Sequence, residues 1–138
     1  MIKRKIFIAT HANLSEGFKN AAKLIAGDKA EAIETFTLFE GKSADDFREE
    51  IKEYIEANED VEKVILTDLY GASLFNAMSL LSNEKNTYVF SGVNLAMLLD
   101  LILDPTPLST ETVDNRLNTY KDGVVYLDKI EKGIEEDF

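Results

Sequence analysis

The sequence predicts an α/β fold built on a mainly parallel, doubly wound sheet. Short β-prone apolar runs alternate along the chain with stretches whose apolar residues recur at helical spacing. Residue types that favour helix N-caps stand between the two kinds of segment. This alternation is typical of βα units, whose right-handed crossovers wind helices onto both faces of one sheet. The length of 138 residues fits one domain with a sizeable core.

Four strands are predicted from the apolar runs, and they cover Ile2–Thr10, Ala32–Leu38, Val61–Thr67 and Asn86–Phe90. A fifth, short β-prone run lies at Val124–Leu127. A long helical stretch separates this run from the other strands. We therefore expect it to pair at a sheet edge, either in its own sheet or in that of another subunit.

Five helices are predicted from helical spacing and capping residues. Asn13, with Glu16 three residues later, predicts a variant of the capping box, and Gly27 is interpreted as the stop signal of this helix. The apolar run Leu95–Leu103 is interpreted as a helix that belongs to the core or to a subunit interface and that stops before Pro105. Asn94 is predicted to cap this helix, and the three remaining helices are predicted to begin at Ser43, Ser73 and Ser109.

The chain is strongly acidic, with 15 Lys and Arg against 26 Asp and Glu and a net charge of −11. Residues 31–60 hold eleven acids and three bases, and residues 128–138 hold five acids and two bases. We interpret this excess as a solvated helix face and a solvated tail, and it argues against a groove that binds nucleic acid. The expected organisation is one domain over residues 1–127, followed by an acidic tail over residues 128–138.

Several protein classes lack support in the composition. There is no cysteine, so disulfides and thiolate metal sites are excluded. No apolar run has the length of a membrane span, and the N-terminal apolar stretch is too short for a signal peptide. The expectation is a soluble protein of the cytoplasm. The glycine-rich nucleotide loops and the G-x-S-x-G nucleophile elbow are absent, and a single histidine cannot build a histidine-rich metal centre.

The candidate chemistry lies in the loops that follow the strands, because open α/β sheets bind ligands beyond the carboxyl ends of their strands. If the strand order is 2-1-3-4, the first and third strands are neighbours and His11 faces Asp68. His11 is the only histidine in the chain. A carboxylate bonded to one ring nitrogen would fix the tautomer and leave the other nitrogen free to attack a phosphoryl group.

The loop after the third strand supplies candidate phosphate-binding groups. Gly71 and Ala72 allow a close approach of the backbone, and Ser73 can donate a hydroxyl group. The helices after the first and third strands would aim backbone N–H groups at the same point. A simpler interpretation stays open, in which His11 is structural, Asp68 caps its turn, and Gly71 and Ser73 are ordinary turn and cap residues.

Three segments, in this order, resemble the mannose-family enzyme IIA of the bacterial sugar phosphotransferase system: IFIATHANLSEG, VILTDLYGASLFNA and VFSGVNLAMLLDLI. The family has an S/T-H-G end of the first strand, a D-x-x-G-G-S-P-F-N-A segment and a G-V-N-x-P-M-L segment. The resemblance implies that His11 is the phosphorylated histidine, that Asp68 orients it and that Ser73 is the serine of the phosphate loop.

The sequence departs from this pattern at four positions. Two of the family's glycines and two of its prolines are replaced, and the residues found here are Ala12, Ala72, Leu74 and Ala96. Each change adds or reshapes side-chain volume near the expected site. None of them removes a reacting group.

The resemblance also implies a fold and a set of partners. The expected sheet order is 2-1-3-4, in a homodimer that exchanges Val124–Leu127 between its subunits. The implied function is phosphoryl relay from the phosphohistidine carrier protein HPr to an enzyme IIB component during sugar uptake, without metal or nucleotide, and peripheral association with a membrane permease complex is compatible with it. Two alternatives remain: a phosphocarrier of a dihydroxyacetone kinase system, and a non-catalytic regulatory or dimerising module with the same fold.

Overall fold

Residues 3–129 are described by the computed structural model of the chain. The chain folds as two compact units, the first ending at Leu108 and the second beginning at Ser109. The organisation into a domain over residues 1–127 and a tail over 128–138 stays a prediction, and residues 130–138 of that tail lie outside the described residues.

The first unit is built on one sheet of four parallel strands in the order β2-β1-β3-β4. This result confirms the predicted α/β fold and strand order. The direction of winding reverses between β1 and β3, so these two strands end side by side at the place where such sheets bind ligands. The strands are β1 (Arg4–His11), β2 (Ile33–Leu38), β3 (Glu62–Thr67) and β4 (Thr87–Ser91).

Helices follow the strands, and three of them begin at a residue that caps them as predicted. The side chain of Ser43 accepts a hydrogen bond from the backbone N–H of Asp45, and that of Asn94 accepts one from Met97. Ser109 forms a capping box in the second unit. A short 3₁₀ helix at Gly27–Ala32 was not predicted. The α-helices are α1 (Leu14–Ala26), α2 (Ala44–Ala57), α3 (Ser73–Ser79), α4 (Leu95–Leu103) and α5 (Thr110–Lys121).

The core lies on both faces of the sheet, and all six residues of the central strand β3 are buried. Side chains of β1 alternate between the two faces, so Phe7 and Ala9 point to the side covered by α2 and α3. His11 follows in the same alternation and therefore points to that side as well. The core cluster on this face consists of Phe7, Ala9, Phe36, Phe47, Ile51, Ile55, Ile65, Leu74, Ala77, Met78 and Leu81.

A buried ion pair joins the opposite, amino-terminal ends of β1 and β3. Arg4 Nε lies 2.6 Å from Glu62 Oε1, and the same guanidinium donates to the backbone carbonyls of Leu101 and Asp104. The other carboxylate oxygen of Glu62 accepts the backbone N–H of Leu108. The pair therefore fixes the segment after α4 to the sheet, and its charges are compensated by hydrogen bonds.

The capping-box prediction for α1 is wrong. Asn13 has φ −85° and ψ 11°, and its side chain accepts no capping hydrogen bond. The backbone N–H of Ser15 instead donates to Thr10 Oγ1 at 2.6 Å, and the Ser15 hydroxyl donates to the carbonyl of Phe36. Thr10 and Ser15 are both fully buried. A hydroxyl of the preceding strand thus satisfies the helix N-terminus and ties α1 directly to β1.

The β-prone run Val124–Leu127 forms no strand within the described part of this single chain. Each of its four side chains is more than 60% exposed. The exchange of this segment between subunits stays a prediction.

Replacing Thr10 with valine should lower the free energy of unfolding by about 1–3 kcal/mol, because the buried N–H of Ser15 loses its acceptor. Equilibrium urea unfolding measures this change. Thr10→Ser keeps the hydroxyl and should be clearly more stable than Thr10→Val. Equal stability of the two variants would show that the hydrogen bond does not hold the start of α1.

Candidate functional site

The carboxyl ends of β1 and β3 bring His11 into contact with Asp68. The ring nitrogen Nδ1 of His11 lies 2.9 Å from Asp68 Oδ2, and the backbone N–H of His11 donates to the same oxygen at 3.0 Å. The other carboxylate oxygen, Oδ1, accepts the backbone N–H of Leu69 at 3.0 Å. One carboxylate therefore holds both the main chain and the ring of His11.

The charge of Asp68 follows from these contacts. Burial by itself raises the pKa of this carboxyl group, but the hydrogen bonds from the backbone and ring of His11 outweigh burial and hold the pKa below its ordinary value. Asp68 is therefore an ionised acceptor at neutral pH, and Nδ1 of His11 carries the proton that it donates. In the neutral ring, Nε2 keeps its lone pair. The His11 side chain is 46% exposed, whereas that of Asp68 is 10% exposed.

The backbone turns sharply just after His11. Ala12 has φ +49°, in the left-handed region that side chains with a Cβ rarely adopt. Its N–H donates to the carbonyl of Leu38 at 2.9 Å, which extends the pairing of β1 with β2 by one residue. The main chain on both sides of the histidine Cα is therefore fixed, by one hydrogen bond to the residue that follows β3 and by another to the last residue of β2.

His11 opens into a groove of about 800 Å³ on the α2 and α3 side of the sheet. Ser73, the first residue of α3, lines this groove together with the histidine. Gly71 and Ala72 lie in the turn before Ser73 but do not line the groove. The other lining residues are Leu38, Phe39, Glu40, Gly41, Lys42, Ser43, Ala44, Asp45, Arg48, Asn76, Ala77 and Leu80.

The conformation of the loop before α3 is fixed by a glycine and by a side-chain hydrogen bond. Gly71 adopts φ +79°, which glycine tolerates and which the turn requires. The side-chain amide of Asn76 donates to the carbonyl of Gly71 at 3.2 Å. Sequence reasoning did not single out Asn76, although its position three residues after Ser73 places both on one face of α3.

Sequence reasoning also missed the charged side chains of the groove wall. It nominated the loop after β2, which contains Lys42, but gave that residue no role. Arg48 on α2 is bound to Asp45 at 3.0 Å and to Glu49 at 3.1 Å. Nothing in the sequence alone indicates that Lys42 and Arg48 line the same groove as the histidine.

Residues 3–129 contain no group of three or more His, Cys, Asp or Glu side chains that could hold a metal ion. None of the helices described there has both the length and the apolar character that crossing a membrane requires.

Asp68→Asn should destabilise the protein most at neutral pH. Because the folded pKa of Asp68 is lowered, its carboxylate stabilises the fold above the unfolded-state pKa of about 3.9, and this contribution is lost as the pH falls through the folded value. Urea unfolding of parent and variant between pH 7 and pH 3 should show a difference that shrinks in acid. A difference that stays constant would mean that the charge of Asp68 is not its source.

A family model and a solved structure that resemble the chain both belong to the IIA components of the phosphotransferase system. The model of the family described as "PTS system fructose IIA component" matches residues 5–117. Phosphotransferase system component EIIA from Streptococcus agalactiae is 30% identical in sequence, has a TM-score of 0.77, and aligns over 89% of this chain and 96% of its own. No protein with a curated description matches the chain.

Two more distant structures share the fold. The mannose/sorbose specific IIA subunit from Enterococcus faecalis is 21% identical, with a TM-score of 0.76 over 94% of this chain and 98% of its own. A sigma-54 interaction domain protein from Enterococcus faecalis is 13% identical, with a TM-score of 0.66 over 88% of this chain and 93% of its own. The family match covers the histidine, the carboxylate and the groove described above, and the chain therefore belongs to the mannose-type enzyme IIA family and is a phosphotransfer component of a sugar phosphotransferase system.

Proposed function

We propose that the protein relays a phosphoryl group through His11, from phosphorylated HPr to an enzyme IIB component that serves sugar uptake. The observation that carries this proposal is the contact between His11 Nδ1 and Asp68 Oδ2, which leaves Nε2 as the nucleophilic nitrogen of a half-exposed ring. Family membership supports the phosphotransfer role. The relay would operate in the cytoplasm, beside a membrane permease complex.

In the proposed transfer the site neither gains nor loses a proton. The lone pair of Nε2 attacks phosphorus while the bond between phosphorus and the donor nitrogen breaks, and that nitrogen keeps the electron pair. Nδ1 retains its proton, so the phosphorylated ring becomes cationic. Asp68 stabilises this positive charge across 2.9 Å. Attack by the acceptor's nucleophile then reverses the step and returns a neutral histidine.

The transferring group would be held by the loop before α3. Ser73 is exposed in the groove and can donate its hydroxyl, while the backbone at Gly71 and Ala72 allows a close approach. Asn76 fixes the carbonyl of Gly71 and so limits the freedom of this loop. The rate enhancement in this proposal comes from positioning and from preorganised electrostatics.

The four departures from the family pattern leave the reacting groups in place. Leu74 is fully buried in the core cluster, and Ala96 is exposed on α4. Ala12 and Ala72 each carry one methyl group near the loops. This placement favours a working relay over a non-catalytic module, and the same chemistry would serve a phosphocarrier of a dihydroxyacetone kinase system if the acceptor differed.

His11→Ala should abolish acid-labile phosphorylation by phosphorylated HPr, since no second imidazole exists in the chain. Radiolabelled transfer, with circular dichroism to verify folding, measures the effect. Asp68→Asn should still accept the label but at a rate lower by about 10²-fold or more, because an amide cannot stabilise the cationic ring.

Label retained by a folded His11→Ala protein would overturn the assignment of the nucleophile. An Asp68→Asn variant as fast as the parent would leave Asp68 with a structural role alone. Transfer to purified enzyme IIB, compared with transfer to a dihydroxyacetone kinase acceptor, separates the two relay functions.

A homodimer in which Val124–Leu127 adds to the partner's sheet is the second part of the proposal. The support is that this β-prone run carries four exposed apolar side chains and pairs with no strand of its own described chain. The strands β2 and β4 form the two edges of the described sheet, and addition of the run to an edge of the partner's sheet would give an isologous, closed assembly.

Truncation after Asp122 should therefore destabilise the dimer, whereas truncation after Lys129 should not. The second variant removes most of the acidic tail and keeps the apolar run, so it separates the two contributions. Sedimentation velocity should show the longer chain as a dimer and the shorter chain as dissociated or aggregated. Two equally stable dimers would place the interface elsewhere.

A further inference from the structure

We propose that Lys42 binds the phosphoryl group carried by His11 and neutralises part of its charge. This inference rests on the proposed function of His11. It adds a cation to a proposed site that otherwise consists of the histidine, its carboxylate and the phosphate loop.

The fold brings Lys42 to the histidine through the pairing of β1 with β2. His11 is the register partner of Leu38, the last residue of β2, so the loop after Leu38 leaves the sheet beside the histidine. Gly41, at φ +87°, turns this loop back, and the N–H of Lys42 donates to the carbonyl of Phe39 at 3.0 Å. Lys42 then lines the same groove as His11 and Ser73.

The two cationic side chains of the groove differ in the ion pairs that they form. Arg48 is engaged by Asp45 and by Glu49, at 3.0 and 3.1 Å. The ammonium group of Lys42 forms no ion pair or hydrogen bond with any residue between 3 and 129. Its side chain is exposed and has a flexible stem of four carbons, so the ammonium group can move towards a new charge without breaking an existing contact.

The charge balance gives the reason for that movement. The groove wall holds two cations and two carboxylates, Lys42 and Arg48 against Glu40 and Asp45, and Asp68 is already matched by the ring of His11. A phosphoryl group adds a charge of about −1.5 to −2 at neutral pH. Lys42 is the uncommitted cation of this wall, whereas its neighbour Glu40 opposes the added charge.

The test measures the second ionisation of the phosphoryl group on His11 by ³¹P NMR. Phosphoramidate, a small chemical donor of phosphoryl groups to imidazole, phosphorylates the protein without any partner protein. Its P–N bond breaks as the bond to Nε2 forms, and the departing nitrogen takes the electron pair and a proton from water to leave as ammonia. Because the chain has one histidine, one phosphohistidine signal is expected.

Lys42→Gln should raise the phosphoryl pKa by about half a unit, since the dianion loses a nearby cation. Glu40→Gln should lower it by a similar amount, and Lys42→Arg should resemble the parent. Lys29→Gln, on the exposed 3₁₀ helix outside the groove, is the matched control and should leave the pKa unchanged. The Lys42 effect should weaken as salt is raised.

The outcomes separate this inference from the function on which it rests. A parent protein that takes up no phosphoryl group on His11 overturns both. A phosphorylated parent whose pKa is matched by Lys42→Gln overturns the role of Lys42 alone. A shift of equal size in Lys42→Gln and Lys29→Gln would also overturn it, because net charge would then explain the effect.

Discussion

A single carboxylate oxygen governs the geometry of the site. Asp68 Oδ2 accepts both the backbone N–H and the ring N–H of His11. The imidazole therefore cannot rotate without losing its hydrogen bond to the oxygen that also holds its own main chain. This arrangement exists only because β1 and β3 are neighbours, with Ala9 opposite Thr67 in register. A shift of one residue in that register would turn Asp68 to the other face of the sheet. The strand order, the register and the tautomer of the histidine are therefore one linked constraint.

The alternation of β1 decides what surrounds the histidine. Phe7 and Ala9 belong to the core under α2 and α3, and His11 continues their row beyond the point where the helices close over the sheet. The ring therefore stands at the end of this buried row and lines the groove. Thr10, on the opposite face, performs a different task and holds the start of α1. Two adjacent residues of β1 thus have different roles on the two faces of the sheet: Thr10 holds a helix in place, and His11 lines the groove.

Sequence reasoning succeeded where the signals are local. The four strands and the caps at Ser43, Asn94 and Ser109 follow from periodicity and capping residues. The contact of His11 with Asp68 also required the strand order that the family resemblance implies. Sequence reasoning failed at Asn13, because the hydroxyl of Thr10 competes for the helix N-terminus from a neighbouring element. The groove wall and the Arg4–Glu62 pair depend on contacts between residues that are distant in sequence, and no local pattern encodes them.

The backbone at Ala12 restricts which sequences this site can explore over evolutionary time. At φ +49° a β-branched or bulky side chain is strongly disfavoured, whereas glycine, asparagine and aspartate are tolerated. Alanine there costs about 1–2 kcal/mol relative to a right-handed conformation, and its methyl group restricts the unfolded chain more than glycine would. Drift at this position is therefore confined to a handful of small or locally hydrogen-bonding residues, whichever partners a descendant of this protein acquires.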